Sequence, residues 1–303
     1  NTRVEVYLQF DGLRRETHRF HRSSDLRSVK QRALERLCDA GVFTTLTMTA
    51  TLGVNDDEIG DVVRLGMETP FVGGISIQPQ FGSGRATAID PNARLTHTGV
   101  LARLGPQTGG VVTWRDLTAL PCSHPHCCSV GYMLHTDGGE WRSLAGIVGH
   151  DRLLENLGLV SNRIADREIP AQLRDLVKQS FLGLLSEQSS LTHPTIAEMF
   201  RNICENCDLG LSTILRVAGN AVTGRNDRLR EMLARRIKRI TVKPFMDMHT
   251  MLEERLLQCC VHVGTEGDRG DQCAPFCAVQ AWPQLRRTVL AERTAAAEAS
   301  VAS

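Results

Sequence analysis

The stretch VEVYLQFDG, residues 4–12, alternates Val4, Val6, Leu8 and Phe10 with Glu5, Tyr7, Gln9 and Asp11. A period of two marks a β-strand with one apolar and one polar face. The segments beyond it set the architecture. Ser24 stands where a helix cap is needed for DLRSVKQRALERLCDA (25–40), whose Leu26, Val29, Ala33 and Leu37 form a stripe ended by Gly41. VFTTLTMTATL (42–52) is a second strand, with Leu46, Met48 and Leu52 on one face and Thr45, Thr47 and Thr49 on the other. NDDEIGDVVRLGME (55–68) is a helix opened by acids, which suit its N-terminal dipole. FVGGISIQPQ (71–80) is a third strand, followed by the glycine loop FGSGR (81–85) and the helix THTGVLARLGPQ (96–107). Strands alternating with helices predict an α/β fold, its strands parallel and its helices outside.

Parallel strands usually read as unbroken apolar runs. These three instead carry Gln9 and Asp11, Thr47 and Thr49, and Ser76 and Gln78. A polar inner face near the carboxyl ends of parallel strands is where a barrel binds its ligand. A sheet with one solvated face is the alternative.

The chain has 35 basic and 34 acidic residues, net +1, so no global field calls for nucleic acid or an anionic membrane. It holds no run of 18 apolar residues, so no membrane span is expected. No signal peptide is visible, and a cytoplasmic protein is expected. The chain opens without Met inside a strand pattern, and is expected to begin part-way into a longer protein. Ten cysteines in a chain of this size, without secretory features, point to metal ligation in a reducing compartment rather than to disulfides.

Those cysteines fall in two groups. LPCSHPHCC (120–128) holds Cys122, Cys127 and Cys128 beside His124 and His126; Cys259, Cys260, His262, Cys273 and Cys277 come much later. Neither stretch is a paired C-x2-C zinc ribbon. Together they supply the four thiolates that one iron–sulfur cluster needs, although zinc and copper(I) accept thiolates too. Adjacent side chains diverge, so the preferred set is Cys122, Cys127, Cys260 and Cys277, with Cys128, Cys259 and Cys273 as further candidates. Cys204 and Cys207 sit in a helical pattern and are read as helix thiols outside the main site. His18, His21, His97, His135 and His150 are read as surface or loop residues. Residues 111–142 read as irregular, 143–237 as mostly helical, ITVKPF (240–245) as a strand and MLEERLL (251–257) as a short helix.

In this order YLQFDG (7–12), VNDDEIGDVV (54–63), GISIQPQFGSGR (74–85), QTGG (107–110), LPCSHPHC (120–127), KPFMDMHTM (243–251), CCVHV (259–263) and PFCA (275–278) resemble the second half of a radical S-adenosylmethionine (SAM) enzyme. The likeness is to the branch that includes the archaeal tetraether lipid synthases and related iron–sulfur oxidoreductases. It implies the second half of a partial (β/α)6 barrel over 1–110, then a Cys/His-rich loop region (111–142), a mainly helical, cysteine-rich auxiliary-cluster domain (143–284) and a low-complexity tail (285–303). The implied cofactors are [4Fe–4S] clusters and SAM. The implied partners are a small-molecule or lipid substrate and an electron donor such as ferredoxin or flavodoxin. By the same resemblance Gln9 and Asp11 would approach the SAM ribose. Thr49 and Asn55 would lie near the end of the next strand, and Gln78, Pro79 and Arg85 by the adenine and carboxylate. The chemistry implied is hydrogen abstraction from an unactivated carbon by a 5′-deoxyadenosyl radical.

One departure matters. The family binds its catalytic cluster through C-x3-C-x2-C, and no such triplet occurs here; after Cys273 and Cys277 the third position is Gln280. The catalytic loop is therefore expected upstream of Asn1, and the chain is expected to be inactive alone. Two other readings are a zinc-stabilised binding module without enzymatic activity, and a zinc hydrolase. The second lacks an open-site His/carboxylate pattern.

Overall fold

The computed structural model describes residues 4–83, 90–151, 153–154, 235–267 and 270–282. Its centre is a mixed sheet. β1 (Val6–Gln9), β2 (Thr44–Ala50) and β3 (Val72–Pro79) run parallel, each paired with the next. Between them lie α1 (Arg15–Arg22), α2 (Arg27–Asp39) and α3 (Ile59–Glu68). After β3 come α4 (His97–Gln107), β4 (Thr118–Ala119), β5 (Ser129–His135), β6 (Trp141–Ser143) and α5 (Leu144–Val148). β7 (Ile237–Val242) then joins β3 in parallel, and β5 closes on β7 antiparallel, giving the order β1-β2-β3-β7-β5-β4 with β6 beside β5. A separate hairpin of β8 (His262–Gly267) and β9 (Gly270–Pro275) comes after α6 (Glu253–Leu257) and leads into α7 (Phe276–Ala281).

The three expected parallel strands are present, and a fourth joins them across more than 150 residues. β1 stands at the sheet edge, with Tyr7 more than half exposed. The apolar face packs on the helices: Leu46, Met48, Ile75, Ile77, Ile240 and Val242 meet Ile59, Val62, Val63, Val100 and Leu104 in one buried cluster. Each such side chain contributes about 1.5–3 kcal/mol by leaving water.

Several local expectations are corrected. Leu52 lies beyond the end of β2 and is exposed, so Ala50 completes the apolar face. In α2 the buried residue is Leu34, while Val29 is half exposed; the helix begins at Arg27, with no side-chain cap from Ser24. α1 has no apolar stripe, so its own sequence does not announce it. It is held from outside: the buried Glu58 carboxylate accepts the backbone N–H of Leu13 (2.7 Å) and Arg14 (2.9 Å) and the Thr17 hydroxyl. Residues 111–142 are irregular only in part: the Cys/His stretch is a loop, but β5 follows it and alternates Ser129, Gly131 and Met133 with Val130, Tyr132 and Leu134. The helices expected over 155–234, Cys204 and Cys207, Arg85 and the tail lie outside the described residues.

α3 and α4 touch closely at Gly60, whose N–H donates to Gln107 Oε1 (2.8 Å). A Cβ there would stand 2.3 Å from the Gln107 backbone oxygen, which cannot swing aside. Gly60→Ala is therefore expected to cost about 1–3 kcal/mol, measured as a lower denaturation midpoint at unchanged slope. Unchanged stability would contradict this contact.

Candidate functional site

The polar face of the sheet is not solvated. Thr45, Thr47, Ser76, Arg239 and Thr241 are all buried. Register aligns Gln9, Thr47, Ser76 and Thr241 in one row across four parallel strands, and Thr49 with Gln78 in a row nearer the carboxyl ends. Thr47 Oγ1 and Ser76 Oγ are buried without a partner among the described residues. Buried hydroxyls of this kind are normally hydrogen-bonded, so the row is chemically suited to a polar ligand such as a nucleoside.

At the carboxyl ends of β1 and β2, four of the expected cofactor residues share one network. Gln9 Nε2 donates to Asp11 Oδ1 (2.6 Å) and Thr49 Oγ1 (3.1 Å), and the Thr49 backbone N–H donates to Asp11 Oδ1 (3.0 Å). Asn55 Nδ2 donates to the carbonyls of Asp11 (2.6 Å) and Thr49 (2.8 Å). Arg22 closes the other side of the carboxylate, with Nε 2.8 Å and Nη2 2.7 Å from Asp11 Oδ2. Asp11 is thus buried and fully engaged. Its carboxylate organises the strand ends, and Asn55 ties the turn after β2 to them. The groups left able to meet a ligand are the Gln9 amide oxygen and the Thr49 hydroxyl. Gln78 is half-buried and Pro79 buried at the end of β3.

The two cysteine stretches meet. Cys122 Sγ lies 3.1 Å from Cys260 Sγ across 138 residues of chain. That exceeds the ~2.05 Å of a disulfide and is below the ~3.8 Å that two sulfurs take on one tetrahedral ion with 2.3 Å bonds. Both thiols are free, as are Cys127, Cys128, Cys259, Cys273 and Cys277. Arg255 Nε donates to Cys127 Sγ (3.4 Å) and the Met246 backbone N–H donates to Cys277 Sγ (3.4 Å). Cys277 also lies within electrostatic reach of Arg255, Cys259 and Cys127. Burial pushes the Cys260 and Cys277 thiols up, and at Cys260 the Cys122 sulfur adds to it.

Cys128 differs. It is buried among Leu120, Val130, Tyr132 and Ile147, points its sulfur at the Ser129 carbonyl (3.7 Å), and burial raises it to about 11. Cys259 Sγ turns to the Val261 carbonyl (3.0 Å), and Cys273 is exposed on β9 opposite Gly264. Among the described residues no three His, Cys, Asp or Glu side chains already stand in coordinating geometry. The donor set nonetheless fits a soft metal or an iron–sulfur cluster: thiols from two loops and from α7, two of them receiving N–H donors of the kind that tune cluster sulfurs.

Two residues of the site carry no sequence signal. Arg255 is a lone cation in a short acidic helix, and Met246 acts through its backbone; neither stands out before the chain is folded. Two histidines are corrected. His18 is buried with Nε2 2.9 Å from the Gly12 carbonyl, and His97 is hydrogen-bonded to Ser129 (3.0 Å).

The chain matches no protein-family model. It is similar to 7,8-dihydro-6-hydroxymethylpterin dimethyltransferase of Methanocaldococcus jannaschii, 26% identical over 90% of this chain and 55% of that protein. The chain therefore spans about half the length of the curated relative it matches. No helix among the described residues is long and apolar enough to cross a membrane.

Proposed function

We propose that this chain works in a radical SAM enzyme, with Cys122, Cys127, Cys260 and Cys277 holding an auxiliary iron–sulfur cluster beside the polar sheet face. The observation that carries the reading is the approach of Cys122 and Cys260 to 3.1 Å from two loops far apart in sequence. The likeness to a pterin dimethyltransferase supports the family reading and gives no support to the tetraether-lipid branch. A small-molecule substrate is accordingly preferred to a lipid chain, with a ferredoxin or flavodoxin as electron donor.

Bound iron–sulfur and SAM together supply radical chemistry at an unactivated carbon. The chain's own residues bind and orient. Gln9 and Thr49 offer a carbonyl and a hydroxyl to ribose hydroxyls, held in place by Asp11 and Asn55. Gln78 and Pro79 border the base, with Arg85 assigned to the SAM carboxylate. Arg255 donates a hydrogen bond to the Cys127 sulfur and the Met246 amide donates one to the Cys277 sulfur. Cys128, protonated in the core, is left out of the ligand set. The 303 residues contain no C-x3-C-x2-C, so the role proposed for this cluster is auxiliary and not catalytic.

Iron, acid-labile sulfide and zinc analysis of the anaerobically purified chain tests this. Iron and sulfide in comparable amounts are expected. Zinc without sulfide would favour the zinc-stabilised binding module instead.

A further inference from the structure

A cavity of about 270 Å³ opens between the end of β3, the amino end of α4 and the segment after β7. Gln80, Arg94, His97, Thr98, His126 and Arg255 are among its lining residues. Among the described residues its wall holds two guanidiniums and two imidazoles and no carboxylate. Asp247 stands behind Arg94, 2.8 Å from its Nη1, and is already satisfied by the Gly82 N–H (2.7 Å) and the Thr250 hydroxyl (3.0 Å). Arg94 Nε and Nη2 are buried with no acceptor among the described residues.

Arg255 makes the imbalance sharper. It is only 8% exposed, yet its partners are the Pro244 carbonyl (2.6 Å) and Cys127 Sγ, and no carboxylate pairs with it among the described residues. A buried guanidinium without a counter-charge is costly. α4 is eleven residues long, so its positive end adds to the same field.

We propose that this cavity binds the anionic head of a ligand, with carboxylate or phosphoryl oxygens received between Arg94 and Arg255 at the amino end of α4. Guanidiniums offer paired N–H donors that match both oxyanions. The volume suits a head group rather than a whole cofactor. The site is separate from the Gln9–Asp11–Thr49 network and needs no metal; it shares Arg255 with the cluster proposed above, while Arg94 and the amino end of α4 belong to it alone.

The test is calorimetric titration of the full chain, purified anaerobically, with inorganic phosphate and separately with acetate, at ionic strength fixed by sodium chloride. Thr98→Glu is the informative variant. Thr98 is exposed in the first turn of α4, where a carboxylate suits the helix, so melting without anion should be unchanged. Saturable binding of at least one anion is expected, weakened at least about ten-fold by Arg255→Gln, as loss of a charged hydrogen bond implies, and likewise by Thr98→Glu, whose carboxylate repels the bound anion. Phosphate alone assigns a phosphoryl head, acetate alone a carboxylate, and both a site open to either class. Failure of both anions to saturate, or wild-type binding by Thr98→Glu, would overturn the proposal. Unchanged binding by Arg255→Gln would overturn it too, leaving Arg255 to the sulfur alone.

Discussion

Cys122→Ser and Cys260→Ser are each expected to strip the chain of its iron while leaving its fold intact. Both side chains are exposed, so neither contributes core packing, and the substitution removes little more than a sulfur. A serine hydroxyl stays protonated near neutral pH and is a hard donor, whereas the proposed site takes soft thiolates. Changes outside the ligand shell already lower metal affinity about 10–100-fold, so loss of a ligand should exceed that. Cys128→Val is the contrast. Cys128 packs among Leu120, Val130 and Tyr132, and valine keeps the site apolar while adding about one methyl group, so iron should be retained. Iron per chain by elemental analysis reads all three variants. Retention of iron by both serine variants would remove Cys122 and Cys260 from the site.

Asp247→Ala is expected to be the most destabilising single change, by about 3–5 kcal/mol, because it strands a buried guanidinium. The carboxylate joins segments far apart in the chain: Arg94, the Gly82 amide, the Thr250 hydroxyl and the His249 amide (3.1 Å) all point to it. Burial raises its pKa, but the Gly82 amide, Arg94 and Thr250 outweigh that and hold it below the usual carboxylate value. The proton is therefore bound more weakly in the folded state. Its stabilisation is fully present above the ordinary carboxylate pKa and is lost as pH falls through the lower folded value. Chemical denaturation at neutral pH and in acid should show the wild type losing part of its advantage over Asp247→Ala at the acid end. Equal stability of the two at neutral pH would show that the ion pair does not hold the loops.

The parallel strands were legible because their information is local. Alternation in VEVYLQFDG and the threonines of β2 state both strand and polar face within a few residues. α1 was illegible for the opposite reason: RETHRFHR has no apolar stripe, and its first turn is held by Glu58, some forty residues on. β5 was obscured by the Cys/His loop before it, although its alternation was available. The meeting of Cys122 with Cys260 was inferable from two clusters of soft ligands and the divergence of adjacent side chains, which together prefer one cysteine of each neighbouring pair. Arg255 was not, because a lone cation acquires meaning only from the sulfur and the cavity it is folded against. Asp11 shows the limit of reading roles from position. Its place at a strand end suggested a ligand contact, and in the folded chain Arg22, Gln9 and the Thr49 amide occupy its oxygens.

The two cysteine stretches are proposed to share one iron site. The most direct measurement is anomalous scattering at the iron edge from crystals of the anaerobically purified chain. Iron density is expected with the Cys122 and Cys260 sulfurs about 2.3 Å from metal, and Cys127 and Cys277 turned to the same centre. A signal only at the zinc edge, or two separate metals with one cysteine stretch on each, would contradict it.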